Sequence, residues 1–340
     1  MQPILDSSLH FLNLLRSQSE ELNLPPWDRI PDSHQWVKKN ARFAYREGDA
    51  LYIQSNVVLA SGAEKIVYSG QKFDLEVDET TEHLGSEEVV FIFPREPGIW
   101  KNREFGLSKG SDSPHLVQTI AHAQFGKNEG RTGVAIQNRF LTLGEHLRDS
   151  AATINDVALR ALLGDYQQGL GALHSLDYVH KDIKADNLFV SFDTPPIGMV
   201  GDFGCAARLS KGLSPAEGMR LTSYSPHLLM KATTLYRTLS TSSDCTDLER
   251  SLAASTLATI TDLKRERGLS DPETPPPEPS KKEIAEELLP FLPADDFYAL
   301  GVTFEDVIKK LGEERFPITA AAIDALKRGE VTLPPFTDLA

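Results

Sequence analysis

Hydrophobic positions change their period along the chain. From 50 to 143 the apolar and β-branched residues come in short runs: Ala50–Val58, Lys65–Leu75, Glu88–Phe93, Leu116–Phe125 and Thr132–Leu141. Gly, Asp, Glu or Asn separate them, which predicts five strands of an antiparallel sheet. Between the third and fourth runs, Ile99–Leu107 has a helical look. The acidic stretch Asp74–Glu88 reads as a solvated hairpin connection. After 143 the spacing becomes helical. Val157, Leu159, Leu162, Leu163, Tyr166, Leu170 and Leu173 mark one face of a long helix over roughly 154–175. It runs into Tyr178-Val179-His180.

The flanks differ in character. Residues 7–22 are compatible with an amphipathic helix, with Leu9, Leu12 and Leu15 at helical spacing and Ser7 or Ser8 as cap. Leu24-Pro25-Pro26-Trp27 then breaks it. Residues 1–45 are expected to form an N-terminal extension that packs on the main fold or binds a regulatory partner. Residues 233–283 are rich in Ser, Thr and charge and carry Glu273-Thr274-Pro275-Pro276-Pro277-Glu278-Pro279. Such a composition predicts a mobile insertion, with Asp247–Arg267 able to be helical, and a second place for a regulatory partner. Order is expected to return at Ile284–Leu311 as two helices.

Composition narrows the function classes. The 340 residues leave room for about two domains, or one two-lobed domain with extensions. The net charge of −14 argues against non-specific nucleic-acid binding, which needs cations to displace phosphate counterions. No run of 18 apolar residues occurs, so no membrane-spanning helix is expected. Two cysteines, Cys205 and Cys245, exclude a disulfide framework and favour a reducing, cytoplasmic setting.

The chemistry concentrates in His180-Lys181-Asp182-Ile183-Lys184-Ala185-Asp186-Asn187 and, further on, Val200-Gly201-Asp202-Phe203-Gly204. The apolar run Leu188–Val190 and a Pro-rich turn between them fit a hairpin return. Asn187 and Asp202 then supply two oxygen ligands at one loop end, a set suited to Mg²⁺, which keeps its other positions for water and phosphate. Asp182, off the metal, can receive a hydroxyl proton. Lys184 can neutralise charge on a phosphoryl group in transfer.

These residues strongly resemble the protein kinase family. Its catalytic-loop pattern stands here as HKDIKADN, and its D-F-G is intact at 202–204. Lysine two residues after the aspartate is similar to the serine/threonine type. The resemblance implies an α+β, two-lobed fold: an N-lobe over 46–141 with a five-stranded antiparallel sheet and one helix, and a mainly helical C-lobe. The first part of that C-lobe would be 142–232, with catalytic loop and activation segment, and the remainder 284–340. It implies ATP and Mg²⁺ as cofactors and a protein hydroxyl as substrate. Asp182, Lys184 and Asn187 would be catalytic, and Asn187 and Asp202 would hold metal. Asn138-Arg139-Phe140-Leu141 looks like the hinge that holds adenine, with Phe140 at the nucleotide. Asp296 in Asp296-Phe297-Tyr298-Ala299-Leu300-Gly301 looks like the start of the central C-lobe helix and would brace the catalytic loop. Tyr224-Ser225-Pro226-His227 looks like the end of the activation segment, with His227 replacing a glutamate. Ser210, Ser214, Thr222 and Ser223 are candidate phosphosites.

The pattern departs from the family in the sheet. Of the glycine-rich loop only Gly62 remains in Ala60-Ser61-Gly62-Ala63-Glu64-Lys65-Ile66-Val67. The third-strand lysine is missing, and Phe93 stands where it is expected. Lys65, before x-Val-Tyr, is similar in placement to the phosphate-binding lysine of the With-No-Lysine kinases. Gly62, Lys65 and Val67 would clasp the nucleotide. Glu104 is the expected helix partner of such a lysine, with Glu96 as runner-up. Lys181 replaces an arginine and offers a point charge instead of a bidentate fork. The eroded loop keeps a second class open, a pseudokinase scaffold with weak or no phosphotransfer. A small-molecule phosphotransferase of the same superfamily is the third. The short C-lobe and insertions also resemble bacterial effector kinases delivered into a host cell.

Overall fold

A computed structural model describes residues 41–47, 50–62, 65–74, 86–94, 107, 112–125, 132–209, 224–241, 245–269 and 292–328. The chain divides into two compact units. One comprises Met1–Lys109 with Gln118–Arg139, the other Gly110–Val117 with Phe140–Ala340.

The first unit is built on a six-stranded antiparallel sheet. Its strands are β1 (Ala41–Glu47), β2 (Ala50–Ser61), β3 (Lys65–Asp74), β4 (Ser86–Pro94), β5 (Thr119–Phe125) and β6 (Thr132–Asn138), in the order β1-β2-β3-β4-β6-β5. The five expected strands are β2 to β6, and β1 adds a sixth at the edge from the end of the expected extension. Two boundaries shift. The fourth run starts its strand at Thr119, because Leu116 belongs to the second unit, where it bridges Val200. The fifth ends at Asn138, where the Arg139 N–H turns to the Glu88 carbonyl at 2.9 Å. Ile99–Leu107 lies outside the described residues except Leu107, which is helical and buried.

Alternation along the strands fills one core layer with Tyr52, Val89, Phe91, Ala121, Val134 and Ile136, all buried. Each side chain of this size contributes about 1.5–3 kcal/mol on leaving water. The Phe91 ring lies over Gly70, where an added Cβ would come within 2.3 Å of it and 2.7 Å of the Ile53 carbonyl. Lys72 and Glu87, register partners across β3 and β4, pair at 3.1 Å on the surface.

The second unit is mainly helical. Its helices are α1 (Leu143–Ser150), α2 (Asp156–Ser175), α3 (Pro226–Thr241), α4 (Asp247–Glu266), α5 (Pro293–Leu311) and α6 (Pro317–Lys327). Thr142 opens α1 with a capping box: its hydroxyl accepts the Glu145 N–H while Glu145 accepts the Thr142 N–H. Asn155 caps α2 through the Ala158 N–H. Along α2 the buried stripe is Leu159, Leu162, Leu163, Tyr166, Leu170 and Leu173. Val157, expected on it, is instead 49% exposed because it sits in the first turn beside the stripe. Tyr166 packs on Phe304 of α5 and donates its hydroxyl to the Phe189 carbonyl. Asp156 caps α6, accepting the Ile318 and Thr319 N–H groups at 2.6 and 2.9 Å.

Where they are described, residues 233–283 are mainly helical. Residues 233–241 complete α3, and 247–266 form α4. The two helices lean on one another, and Leu228, Leu229, Ala232 and Ile260 share a buried cluster with Val179, Ala207 and Tyr224. The Ser, Thr and charged residues that made the composition look unfoldable occupy mainly the outer faces, leaving one apolar stripe per helix. The proline run 273–279 lies outside the described residues. Of the two helices expected over Ile284–Leu311, α5 (Pro293–Leu311) is described, with Pro293 at its first position, and residues 284–291 lie outside the described residues.

Candidate active site

A hairpin return assembles the site in the helical unit. Strand β7 (Tyr178–Val179) pairs with β10 (Ala207–Arg208), and β8 (Leu188–Val190) with β9 (Gly198–Val200). Leu188 stands opposite Val200, so Asn187 and Gly201 meet at the open end, where the Gly201 N–H donates to the Asn187 carbonyl at 3.1 Å. Asp202 follows directly. Gly201 must lack a side chain, since a Cβ would lie 2.8 Å from Val117 and 2.9 Å from the Phe189 ring.

Asp182, Lys184 and Asn187 come together. The Lys184 ammonium lies 2.5 Å from Asp182 Oδ2. Asn187 Nδ2 donates to the same oxygen at 2.9 Å and to the Asp182 main-chain carbonyl at 2.7 Å. Both amide protons of buried Asn187 are thus spent on Asp182. Its Oδ1 accepts no hydrogen bond among the described residues and is left as an oxygen ligand. Asp202, half-buried, takes a left-handed backbone with φ 61° and ψ 67°, an uncommon state for a residue with a Cβ. This donor set of an amide oxygen and a carboxylate fits Mg²⁺ bound largely through water and phosphate. Among the described residues no cluster of three His, Cys, Asp or Glu side chains is arranged for a metal.

Beneath the loop, His180 is fully buried. Its Nδ1 accepts the Asp182 N–H at 3.3 Å and its Nε2 lies 2.8 Å from the Gly201 carbonyl. One tautomer, with the proton on Nε2, satisfies both contacts. Its ring lies 5.8 Å from that of buried Phe203. Asp296, with no exposed surface, accepts the N–H groups of His180 (2.8 Å) and Lys181 (3.0 Å) and the Nε2 proton of His174 (2.9 Å). Asp296 therefore braces the loop as the sequence suggests, and His174 is a third donor that the motif did not reveal.

The exit of the segment after Asp202–Gly204 is held by two contacts absent from the sequence reading. The Ser225 hydroxyl donates to Asp295, and Arg267 at the end of α4 donates to the Tyr224 carbonyl. Burial raises the Asp295 carboxyl above its ordinary value, against the hydrogen bonds from Ser225 and the Leu292 N–H. His227 is exposed. A charged residue beside Asp182 in a known motif is a visible signal; an aspartate one position ahead of Asp296 and an arginine in a polar helix are not. The candidate phosphosites Ser210, Ser214, Thr222 and Ser223 lie outside the described residues.

The remaining candidates sit in the sheet unit, apart from Phe140, which starts the helical unit's second segment and is half-buried. The Gly62 N–H donates to the Lys65 carbonyl at 2.9 Å, closing a tight turn. Lys65 and Val67 are half-buried and share one face of β3. The register corrects the strand reading. Val67 stands opposite Ile92 and Lys65 opposite Pro94, while Phe93 pairs with Ile66 and points to the other face, beside Tyr68. The β4 position facing Lys65 is therefore Pro94, and the face that carries Val67 and Lys65 has no lysine from β4. Glu104 and Glu96 lie outside the described residues.

Two compact units, one an antiparallel sheet and one a helical body with this loop, define a two-lobed protein-kinase-like fold. No protein-family model matches the chain. Curated relatives do. The serine/threonine-protein kinase mos of Vultur gryphus is 39% identical over 70 residues, 19% of this chain and 34% of the relative. Those of Gymnogyps californianus and Ciconia nigra are each 37% identical over the same length and shares. The chain spans about a third of the length of the curated relatives it matches. Over those 70 residues, and in its fold, the chain is similar to serine/threonine-protein kinases.

Proposed function

We propose that the protein is a serine/threonine protein kinase that transfers the γ-phosphoryl group of ATP to protein hydroxyls. The observation that carries this reading is the convergence of Lys184 and Asn187 on one oxygen of Asp182. Asp182 would orient the hydroxyl and accept its proton, with its other oxygen uncommitted to that pair. Lys184 would swing from Asp182 to the transferred phosphoryl, where charge develops. Asn187 and Asp202 would hold Mg²⁺, which when bound neutralises phosphate charge. Gly62, Val67 and Phe140 would enclose the nucleotide. Lys65 would supply the cation that β4 lacks, with Glu104 as its partner. The boundaries 46–141, 142–232 and 284–340 for lobes remain part of this proposal, as do regulatory contacts at 1–45 or 233–283. Cys205 and Cys245 form no disulfide with one another, which suits a reducing, cytoplasmic setting.

A pseudokinase scaffold is the second reading, and Pro94 opposite Lys65 favours it. Transfer of label from γ-labelled ATP to a generic basic protein, or to the chain itself, separates the two. The kinase reading expects transfer that falls by about 10²–10⁴-fold in Asp182→Asn. Transfer absent from wild type, or equal in the variant, leaves the scaffold.

A further inference from the structure

A cavity of about 590 Å³ opens in the helical unit between the start of α3, the end of α4, and α5 and α6. That volume is in the range of small-molecule sites. Its inner wall is apolar and aromatic: Tyr298 is 6% exposed, and Leu269 and Val302 are half-buried. The Arg267 guanidinium lies 5.5 Å over the Tyr298 ring and also donates to the Tyr224 carbonyl.

Charge in the wall is unevenly matched. Two ammoniums, Lys309 at 3.1 Å and Lys327 at 2.9 Å, share the single carboxylate of Glu305. The pair of lysines, aided by the hydrogen bonds they give, holds the Glu305 carboxyl below its ordinary value although burial pushes the other way. Asp306 and Glu313 also act on Lys309 from outside the cavity. Across the lining itself Arg267, Lys309, Lys327 and Arg328 face Glu266, Glu305 and Asp324, one cation more than carboxylates, in a chain whose net charge is −14. At the mouth Arg328 faces solvent with Glu266 and Asp324, so the rim adds no second excess of cations. An incoming carboxylate would complete the cluster as the second anion between the two lysines, while an apolar body covers Val302 and Leu269.

We propose that this cavity is a binding site for an organic carboxylate with an apolar body, its carboxylate on Lys327 and Lys309. Arg267 links the wall to Tyr224, so an occupant reaches the end of the segment that follows Asp202–Gly204. The ligand could be free or the acidic side chain of a peptide; both present the same chemistry.

Titration calorimetry on the full chain tests this with 4-phenylbutyrate, its neutral amide, and a short end-blocked Phe-Glu peptide. It needs no phosphotransfer and so stands apart from the kinase reading. Binding of the acid is expected, with the amide about tenfold weaker or more. Lys327→Met is expected to weaken the acid by a similar factor, and Val302→Trp to block it by filling the cavity. Circular dichroism on each variant verifies the fold, and Lys327→Met decides the matter if Val302→Trp fails to fold. Tighter binding of the peptide identifies a protein source, and tighter binding of the acid a metabolite. Binding of neither at about 10 mM, equal binding of acid and amide, or Lys327→Met binding like wild type overturns the proposal.

Discussion

Asp296 holds Lys181 in a left-handed turn. Its Oδ1 accepts the Lys181 N–H at 3.0 Å where φ is 71°, and its Oδ2 accepts the preceding N–H of His180. A side chain with a Cβ adopts that backbone only when its surroundings enforce it. Asp296→Ala strands two buried donors, each worth about 1–3 kcal/mol. Denaturant unfolding should show a loss of about 2–5 kcal/mol, and an unchanged midpoint would refute the brace.

The position of Lys65 opposite Pro94 gives a second prediction. With no lysine from β4 on that face, Lys65→Met should lower kcat/KM for ATP on the order of 10²-fold, the cost of removing one positively charged contact to developing phosphate charge. Placing lysine at the opposed site, Pro94→Lys in the Lys65→Met background, should recover part of it. Steady-state kinetics at varied ATP reads both, and equal kcat/KM in wild type and Lys65→Met would remove Lys65 from the site.

A third prediction concerns pH. Burial raises the Asp295 carboxyl, so the folded chain binds that proton more tightly than the unfolded chain does. Stability from this group is full below its ordinary value of 3.8 and is lost as pH rises through the folded-state value. Asp295→Asn keeps an acceptor for the Ser225 hydroxyl without the charge. Its stability relative to wild type should therefore rise as pH increases from about 4 to 7. A difference in unfolding midpoint that stays flat, or runs the other way, would contradict the assignment.

The sheet offers a fourth. Gly70→Ala puts a methyl against the Phe91 ring and should cost about 1–3 kcal/mol through overpacking. Phe91→Ala costs about 3–5 kcal/mol alone. Together they should cost less than their sum, because the missing ring makes room for the methyl. Strict additivity in thermal unfolding would show that the ring does not set the size limit at Gly70.

Much of this architecture can be read from the residues. HKDIKADN and the intact D-F-G point directly to the loop, because the chemistry needs those side chains at fixed offsets. The alternating runs of the sheet show because each strand buries one face. What stays hidden is relational. Phe93 looks like the lysine site by counting along one strand, yet facing is decided by register against β3, which a single strand does not display. Asp295, Arg267 and His174 act across 70, 43 and 122 residues, and nothing local marks their partners. Helix α4 falls on Asp247–Arg267, which the sequence allows to be helical; that α3 and α4 pack on one another is obscured for a different reason. Their average composition is polar, and averaging conceals a narrow buried stripe ending at Ile260.

Helix α2 has work at both ends. At one end Asp156 receives the first turn of α6; at the other His174 meets the carboxylate beneath the catalytic loop. Twenty residues at 1.5 Å each make it a rod of about 30 Å. A deletion that shears away Pro317–Lys327 would therefore leave every candidate catalytic atom intact and still loosen the far mooring of the rod on which the loop rests. Damage at one pole would be read at the other as a protein that dies sooner in warm solution, with its chemistry unaltered while it lasts.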